Sequence, residues 1–429
     1  MNQTIVCIES LSHDGRGIAH INGKTVFIEN ALPNEKIKFA YIKRHNNFDE
    51  GKTTEIIEPA AMRTTPLCPH FGICGGCNLQ HLKHAAQLEL KQKTLLEQLE
   101  HFGKTVPQNI IPPLTGPIWH YRNKARLAVK YVQKKNKVLV GFHEKNGRFI
   151  ADIFTCPVLG STLSDRINDL SSLISQLSIP TAIPQIEVAI TAEETALVLR
   201  HLKEFNADDL AHLKAFAVKH HYKIYLQPQG TESIHCLTAE NLELNYKLTQ
   251  QNLTLSFHPC DFTQTNHAIN QKLVTLALEL LAPNIQDKIL DLFCGIGNFS
   301  LPLAQKCQKV IGVEGNNNAI LRAKNNTIYN NIHNLEFYVA DLTTLPQQNW
   351  IIQKFTKILL DPPRTGALEI IKNFPQFNAH KVLYVSCNPA TLARDAQELI
   401  AQGFTLTHAG IIDMFPHTKH VEALALFSV

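Results

Sequence analysis

The stretch Asp291-Leu-Phe-Cys-Gly-Ile-Gly-Asn298 constrains this 429-residue chain more than any other. It follows a short apolar run, Lys288-Ile289-Leu290, with the pattern of a buried strand. Gly295 and Gly297 permit a sharp turn and let a ligand come close to the backbone. Phe299 to Ala304 can open a helix. Strand, glycine turn and helix in succession is how doubly wound α/β sheets hold nucleotide-like ligands. A dinucleotide fingerprint would place a third glycine at position 300, where Ser300 stands. An acid, Asp291, stands before the glycines instead, and a second, Glu314, ends the next apolar run, Val310 to Val313. Carboxylates there suit hydroxyl and amino donors better than a pyrophosphate. The expected ligand is therefore S-adenosylmethionine, a nucleoside without phosphates, with an ordinary βα turn of another Rossmann-like enzyme as the alternative.

From residue 285 on, apolar runs alternate with helical stretches, which predicts a mostly parallel sheet. In such sheets ligands sit outside the carboxyl ends of the strands. Glu336 to Val339 is followed by Asp341, Lys357 to Leu360 by Asp361-Pro-Pro-Arg364, and Lys381 to Ser386 by Cys387-Asn-Pro389. Four acids and a thiol thus converge on one edge. The last two runs, Thr405 to Ile412 and Val421 to Phe427, read as a hairpin, which brings His420 and Glu422 to the edge that carries Cys387. Asn388 and Pro389 suit the start of a helix over Ala390 to Gln402, whose N-terminus is expected to favour the Cys387 thiolate.

The preceding segments divide differently. Residues 1–59 carry five short strands, with Asn22-Gly23 as a hairpin turn, and suggest a small barrel of the oligonucleotide-binding kind. Its seven Lys/Arg and eight Asp/Glu give no electrostatic hint, so a purely structural barrel is an equal alternative. Cys68, Cys74 and Cys77 follow in C-x5-C-x2-C spacing around paired glycines, and Cys156-Pro157 offers a fourth thiolate. Spacing alone does not separate a structural zinc from an iron–sulfur cluster. Lys83 to Phe102 has helical periodicity through Leu88, Leu95, Leu96, Leu99 and Phe102.

Residues 78–150 hold thirteen Lys/Arg against four Asp/Glu, the footprint of a polyanion partner. On a strand, Arg122, Lys124, Arg126 and Lys130 would share one face, with Tyr121, Tyr131 and Phe142 available to stack on bases. Residues 157–255 suggest an α+β region carrying this basic ribbon. The expected division is 1–59 barrel, 60–260 central domain and 261–429 Rossmann-like catalytic domain. No apolar run reaches membrane-spanning length, and the N-terminus lacks a charged-then-apolar leader, so a soluble cytoplasmic protein is expected.

A methyl donor beside a thiol and a carboxylate points to alkylation of a weakly nucleophilic carbon. Uracil C5 is one: thiolate addition at C6 activates C5, and a base then removes the C5 proton. Cys387 fits the first role and Glu422 the second. Arg364 stands where amino-methylating enzymes carry an aromatic residue after Asp-Pro-Pro, which argues against an exocyclic amine. An RNA-binding factor with a vestigial transferase domain and a nicotinamide oxidoreductase are rivals of other classes. Intact Cys387 and Glu422 oppose the first, and the missing third glycine opposes the second.

Together, Phe262-Thr-Gln264-Thr-Asn266, Asp291 to Asn298, Val313-Glu314-Gly315, Asp361-Pro-Pro-Arg364, Ser386-Cys387-Asn-Pro389 and His420-Val-Glu422 resemble the RNA uracil-C5 methyltransferase family over nearly the whole chain. The resemblance implies S-adenosylmethionine contacts from Gln264, Phe293, Asn298, Glu314, Asp341 and Asp361, with Cys387 as nucleophile and Glu422 as base. The N-terminal barrel resembles the TRAM RNA-binding domain. Cys68, Cys74, Cys77 and Cys156 match the family's ligands to a [4Fe–4S] cluster, which implies iron–sulfur in place of zinc. Barrel and cluster together resemble the branch acting on one uracil of 23S rRNA, with another rRNA or tRNA site as the alternative target. No obligate protein partner is indicated. The resemblance also implies that the helix near 83–102 packs on the catalytic domain, which no pattern in the residues suggests.

Overall fold

The computed structural model describes residues 4–145, 147–238, 243–344 and 348–429. Its first sheet has six strands, with the long Lys36–Arg44 and Phe48–Glu58 pair inside it. Asn22 and Gly23 both take positive φ, 52° and 78°, as a two-residue hairpin requires. Thr4–Cys7 pairs with Lys36–Arg44, while Ser10–Leu11, a strand beyond the five expected, pairs with Gly17–Ile21. Backbone bonds from Ile8 to Glu35 and from Glu9 to Ile18 join the two edges, so residues 4–11 close the sheet into a small barrel. Ile8, Val26, Ile28, Ile37 and Phe39 fill its interior.

The central sheet runs in the order His235–Cys236, Tyr222–Gln227, Thr195–Arg200, Gln185–Ile190, Lys124–Val132, Lys137–Gly141. One neighbouring pair, Thr195–Arg200 with Tyr222–Gln227, is parallel. The helix Ala207–His220 makes that crossover, started by a capping box between Asn206 and Asp209. The basic strand alternates as expected: Ala125, Leu127 and Val129 are buried, while Arg126 and Lys130 are exposed. The other two cations of the expected face behave differently. Lys124 is turned inward and donates to the Pro259 carbonyl, and Arg122 precedes the strand and lies over the Phe142 ring. Tyr121 is buried, and its hydroxyl donates to the Pro416 carbonyl at 2.9 Å, so it is no stacking platform. An exposed aromatic, Phe149, lines a groove together with Arg126 and Lys130.

The third sheet has eight strands: Leu335–Val339, Lys309–Glu314, Lys288–Leu292, Lys357–Leu360, Lys381–Ser386, Glu422–Ser428, Thr405–Ile412 and Asn109–Ile110. The first five run parallel, as the alternation of apolar runs and helices requires. Glu422–Ser428 is antiparallel to both of its neighbours. The middle strands are apolar on both faces. Leu290, Leu292, Ile358, Leu360 and Val382 are fully buried, each contributing about 1.5–3 kcal/mol through removal from water. The two-residue strand Asn109–Ile110 comes from the proline-bearing connector and was not legible in the sequence. The helix His84–His101 packs on the helix Pro389–Ala401 and the strand Thr405–Ile412. Among the described residues no helix is long and apolar enough to cross a membrane.

Candidate active site

The turn after Lys288–Leu292 is built from three residues in the left-handed region: Phe293 (φ 63°), Gly295 (53°) and Gly297 (94°). The glycines take this conformation freely, whereas Phe293 does so at a cost of about 1–2 kcal/mol. At Gly297 a Cβ would lie 2.3 Å from a Leu301 methyl, whereas at Gly295 it would meet nothing within 4 Å. The Gly295 face of the turn is therefore open to a ligand. The conformation of Phe293 was not foreseen, because a bulky residue gives no local signal for positive φ.

Acids surround this opening. Glu314 accepts from the Gly295 amide at 3.3 Å through one oxygen and from the Asn316 amide at 2.9 Å through the other. Gln264 Nε2 donates to Asp361 at 3.3 Å. Ser300, at the position a dinucleotide site would give to glycine, donates its hydroxyl to Asp291 Oδ2. The second oxygen, Asp291 Oδ1, is buried without a partner. Burial pushes both Asp291 and Asp361 up to about 7; Glu314 adds to each and the Ser300 and Gln264 bonds oppose it. An unpartnered acceptor among crowded carboxyls fits a ligand that brings hydroxyl or amino donors and positive charge.

Two expected cofactor residues sit less directly. Asn298 Oδ1 accepts from Tyr246 and from Asn270, both at 2.9 Å, and its amide donates back to Asn270 at 3.0 Å. Most of its hydrogen-bonding capacity is spent inside the protein. Asp341 is exposed past the end of Leu335–Val339 and holds its own loop through Thr343.

Cys387 and Glu422 meet across the sheet edge. Ser386 lies opposite Ala423 in antiparallel register, so the next residue of one strand faces the preceding residue of the other. Arg364 is held beside them: Nη2 lies 3.0 Å from His420 Nδ1, and its carbonyl accepts from Asn388 Nδ2 at 3.1 Å. Asn388 caps the following helix through the Ala390 amide at 3.2 Å. That cap uses the helix N-terminus locally, and the expected stabilisation of thiolate does not dominate. Burial pushes the Cys387 thiol up to about 11, with Glu422 and Asp361 adding and Arg364 opposing. Burial also raises Glu422 well above the usual carboxyl range, with Asp361 adding and Arg364 and Lys91 opposing. Burial and the neighbouring acids thus disfavour negative charge on either group, and Arg364 offsets part of that cost.

Cys68, Cys74, Cys77 and Cys156 line one cavity together with His70 and Arg122, and all four thiols are free of disulfides. The Gly76 amide donates to Cys74 Sγ at 3.4 Å, and Gln80 accepts from the Cys68 amide at 3.0 Å. Among the described residues no group of three or more His, Cys, Asp or Glu is drawn together to hold a metal ion.

A family model described as tRNA (Uracil-5-)-methyltransferase matches residues 83–428, and a TRAM domain model matches residues 5–43. The 23S rRNA (uracil(1939)-C(5))-methyltransferase RlmD of Legionella pneumophila (strain Corby) is 47% identical over 425 residues, covering 98% of this chain and 96% of that protein. The protein of the same name from Nitrosococcus oceani is 49% identical over 424 residues, covering 98% and 95%. The crystal structure of Pyrococcus abyssi tRNA (uracil-54, C5)-methyltransferase in complex with S-adenosyl-L-homocysteine superposes with a TM-score of 0.76 at 25% identity, over 99% of this chain and 100% of that one.

Proposed function

The chain belongs to the RNA uracil-C5 methyltransferase family, and from that premise we propose that it methylates C5 of one uracil in 23S rRNA, at the position named for its relatives. The observation that carries this is the meeting of Cys387 and Glu422 at the edge that also holds the acid-lined glycine turn. Cys387 gives its proton to solvent, and its sulfur adds to C6 of the uracil while Glu422 stays ionised for the later step. The C5=C6 pair shifts toward the C4 oxygen, leaving C5 nucleophilic. S-adenosylmethionine, when bound, supplies an electrophilic methyl group to C5. Glu422 then takes the C5 proton, the electrons of that bond re-form C5=C6, and the sulfur leaves. Arg364 supplies the positive charge facing both groups while negative charge moves between sulfur and ring.

Gln264, Phe293, Asn298, Glu314, Asp341 and Asp361 are assigned to S-adenosylmethionine. The cofactor is cationic at sulfur, so it favours the ionised acids. The Asp291–Asp361 pair keeps a proton below about pH 7. Affinity for S-adenosylmethionine is therefore expected to rise between pH 6 and 8, with proton release on binding at the acid end. Calorimetry in two buffers of different ionisation enthalpy checks this, and a flat profile contradicts it.

The four cysteines are assigned to a [4Fe–4S] cluster. A cubane needs more room between its sulfurs than one ion does, which fits four thiols around a shared cavity better than a zinc site. Burial pushes Cys77 and Cys156 up to about 12, a penalty that bound iron would offset. Cys74→Ser is expected to lose the brown colour and the iron of the purified protein. A colourless wild type rich in zinc contradicts the assignment.

RNA is assigned to the barrel and to the groove containing Arg126, Lys130, Arg148, His143 and Phe149. Arg126 pairs with Glu187 at 2.8 Å while well exposed, a weak partnership that a phosphate can replace. Arg126→Glu with Lys130→Glu is expected to weaken RNA binding and lower its salt slope by about two. Reversing Lys124, which is spent on Pro259, would test packing instead.

A further inference from the structure

The loop 413–421 delivers Glu422 to the active site, and several of its polar groups are held by residues far earlier in the chain. Asp413 is ion-paired with Lys91 at 2.7 Å, and its other oxygen lies 2.7 Å from His84 Nε2. Lys91 Nζ also donates to the Phe415 carbonyl at 2.9 Å. Gln87 grips His417 twice: Oε1 accepts from its amide at 2.8 Å, and Nε2 lies 3.2 Å from Nδ1. The His417 ring stacks on Trp119 at 3.9 Å between centroids, and the Pro416 carbonyl accepts from Tyr121. The His417 carbonyl accepts from the amides of Asn78 and Leu79, the two residues directly after Cys77, at 2.9 and 3.0 Å. Gln87, Lys91, Tyr121, Asp413 and His417 are all buried. Tyr121 shares its apolar cluster with Cys156, and partly buried Cys74 and Cys77 pack against that cluster.

A catalytic carboxylate at the end of a loop needs that loop fixed to a fraction of an ångström, and loops are poor at this unaided. Here the fixing groups come from three places far earlier in the chain: the residues just after Cys77, the helix His84–His101, and Trp119 and Tyr121 ahead of the strand Lys124–Val132. We propose that Tyr121 and Gln87 are positioning residues that set Glu422 for removal of the C5 proton, Gln87 by locking loop 413–421 to the segment after Cys77 and Tyr121 by holding Pro416 from the start of the central sheet. Cys387 follows a different strand, Lys381–Ser386, and precedes a helix with its own cap, and none of the bonds named above touches it. Loosening the lock therefore slows the last step while leaving sulfur addition intact.

This rests on the covalent route proposed above, and the experiment separates the two. Tyr121→Phe, Gln87→Leu and Glu422→Gln are each mixed with target RNA and S-adenosylmethionine. Adduct is followed over time on denaturing gels, and methyl transfer is measured in parallel. Glu422→Gln is the control: if it forms no adduct, the covalent route itself falls and the inference with it. If it does, Tyr121→Phe and Gln87→Leu are expected to form adduct at the wild-type rate and release it roughly tenfold more slowly, so that a band accumulates. Wild-type release in both variants overturns the inference. So does parallel loss of adduct formation and turnover, which is the signature of a merely structural role. Tyr121→Phe keeps the ring and the packing, so the result does not depend on the more disruptive Gln87→Leu.

Discussion

Replacing Cys387 with alanine is expected to lower methylation of RNA by roughly 10⁴-fold or more, while RNA affinity changes little. Without sulfur addition, C5 of uracil remains part of a conjugated, weakly nucleophilic ring, and no other group in the pocket replaces the missing bond. Among the described cysteines, Cys294 is buried beside the glycine turn and Cys260 lies near Lys124, so neither stands opposite Glu422. RNA binding is assigned to the barrel and to a groove that does not include Cys387, so the loss should fall on turnover. Labelled methyl transfer together with a filter-binding isotherm checks both parts. Turnover within a factor of ten of wild type would remove Cys387 from the chemistry.

Glu422→Gln is the second large effect. The amide keeps the shape of the side chain but cannot take the C5 proton, and a lost general base costs roughly 10²–10⁴-fold. Sulfur addition and methyl transfer precede that step, so the methylated RNA should remain attached to the protein. The substitution also removes a group whose charge opposes ionisation of Cys387, which favours formation of the adduct. A slowly migrating band that survives denaturation is the expected result. Clean multiple turnover would assign the base elsewhere.

Much of this site was legible in the sequence because it follows from one rule about strand ends. Asp291, Glu314, Asp361 and Cys387 each close an apolar run, and a parallel sheet puts all such ends on one edge. Glu422 needed only the further step of an antiparallel hairpin. What stayed hidden depends on contacts between distant segments. The helix His84–His101 was expected to bury leucines, yet its buried stripe is Gln87, Lys91, Leu95 and Leu99, while Phe102 is exposed. The two polar members are inside because Asp413 and His417 meet them there, 322 and 330 residues away. The basic ribbon shows the opposite failure. Alternation correctly placed Arg126 and Lys130 outward, but nothing local marked Lys124 as covered by Pro259, or Tyr121 as a hydrogen-bond donor to Pro416. The thiol was expected to be acidified by the helix that follows it. The Asn388 cap, burial and two neighbouring acids together outweigh that field.

The central claim is a covalent bond between Cys387 and C6 of the target uracil, and peptide mapping tests it most directly. Glu422→Gln is incubated with RNA and S-adenosylmethionine, digested with nuclease and protease, and analysed by mass spectrometry. The account predicts that the peptide containing Cys387 carries a methylated uridine nucleotide. An unmodified Cys387 peptide, or a nucleotide attached at any other residue, would contradict it.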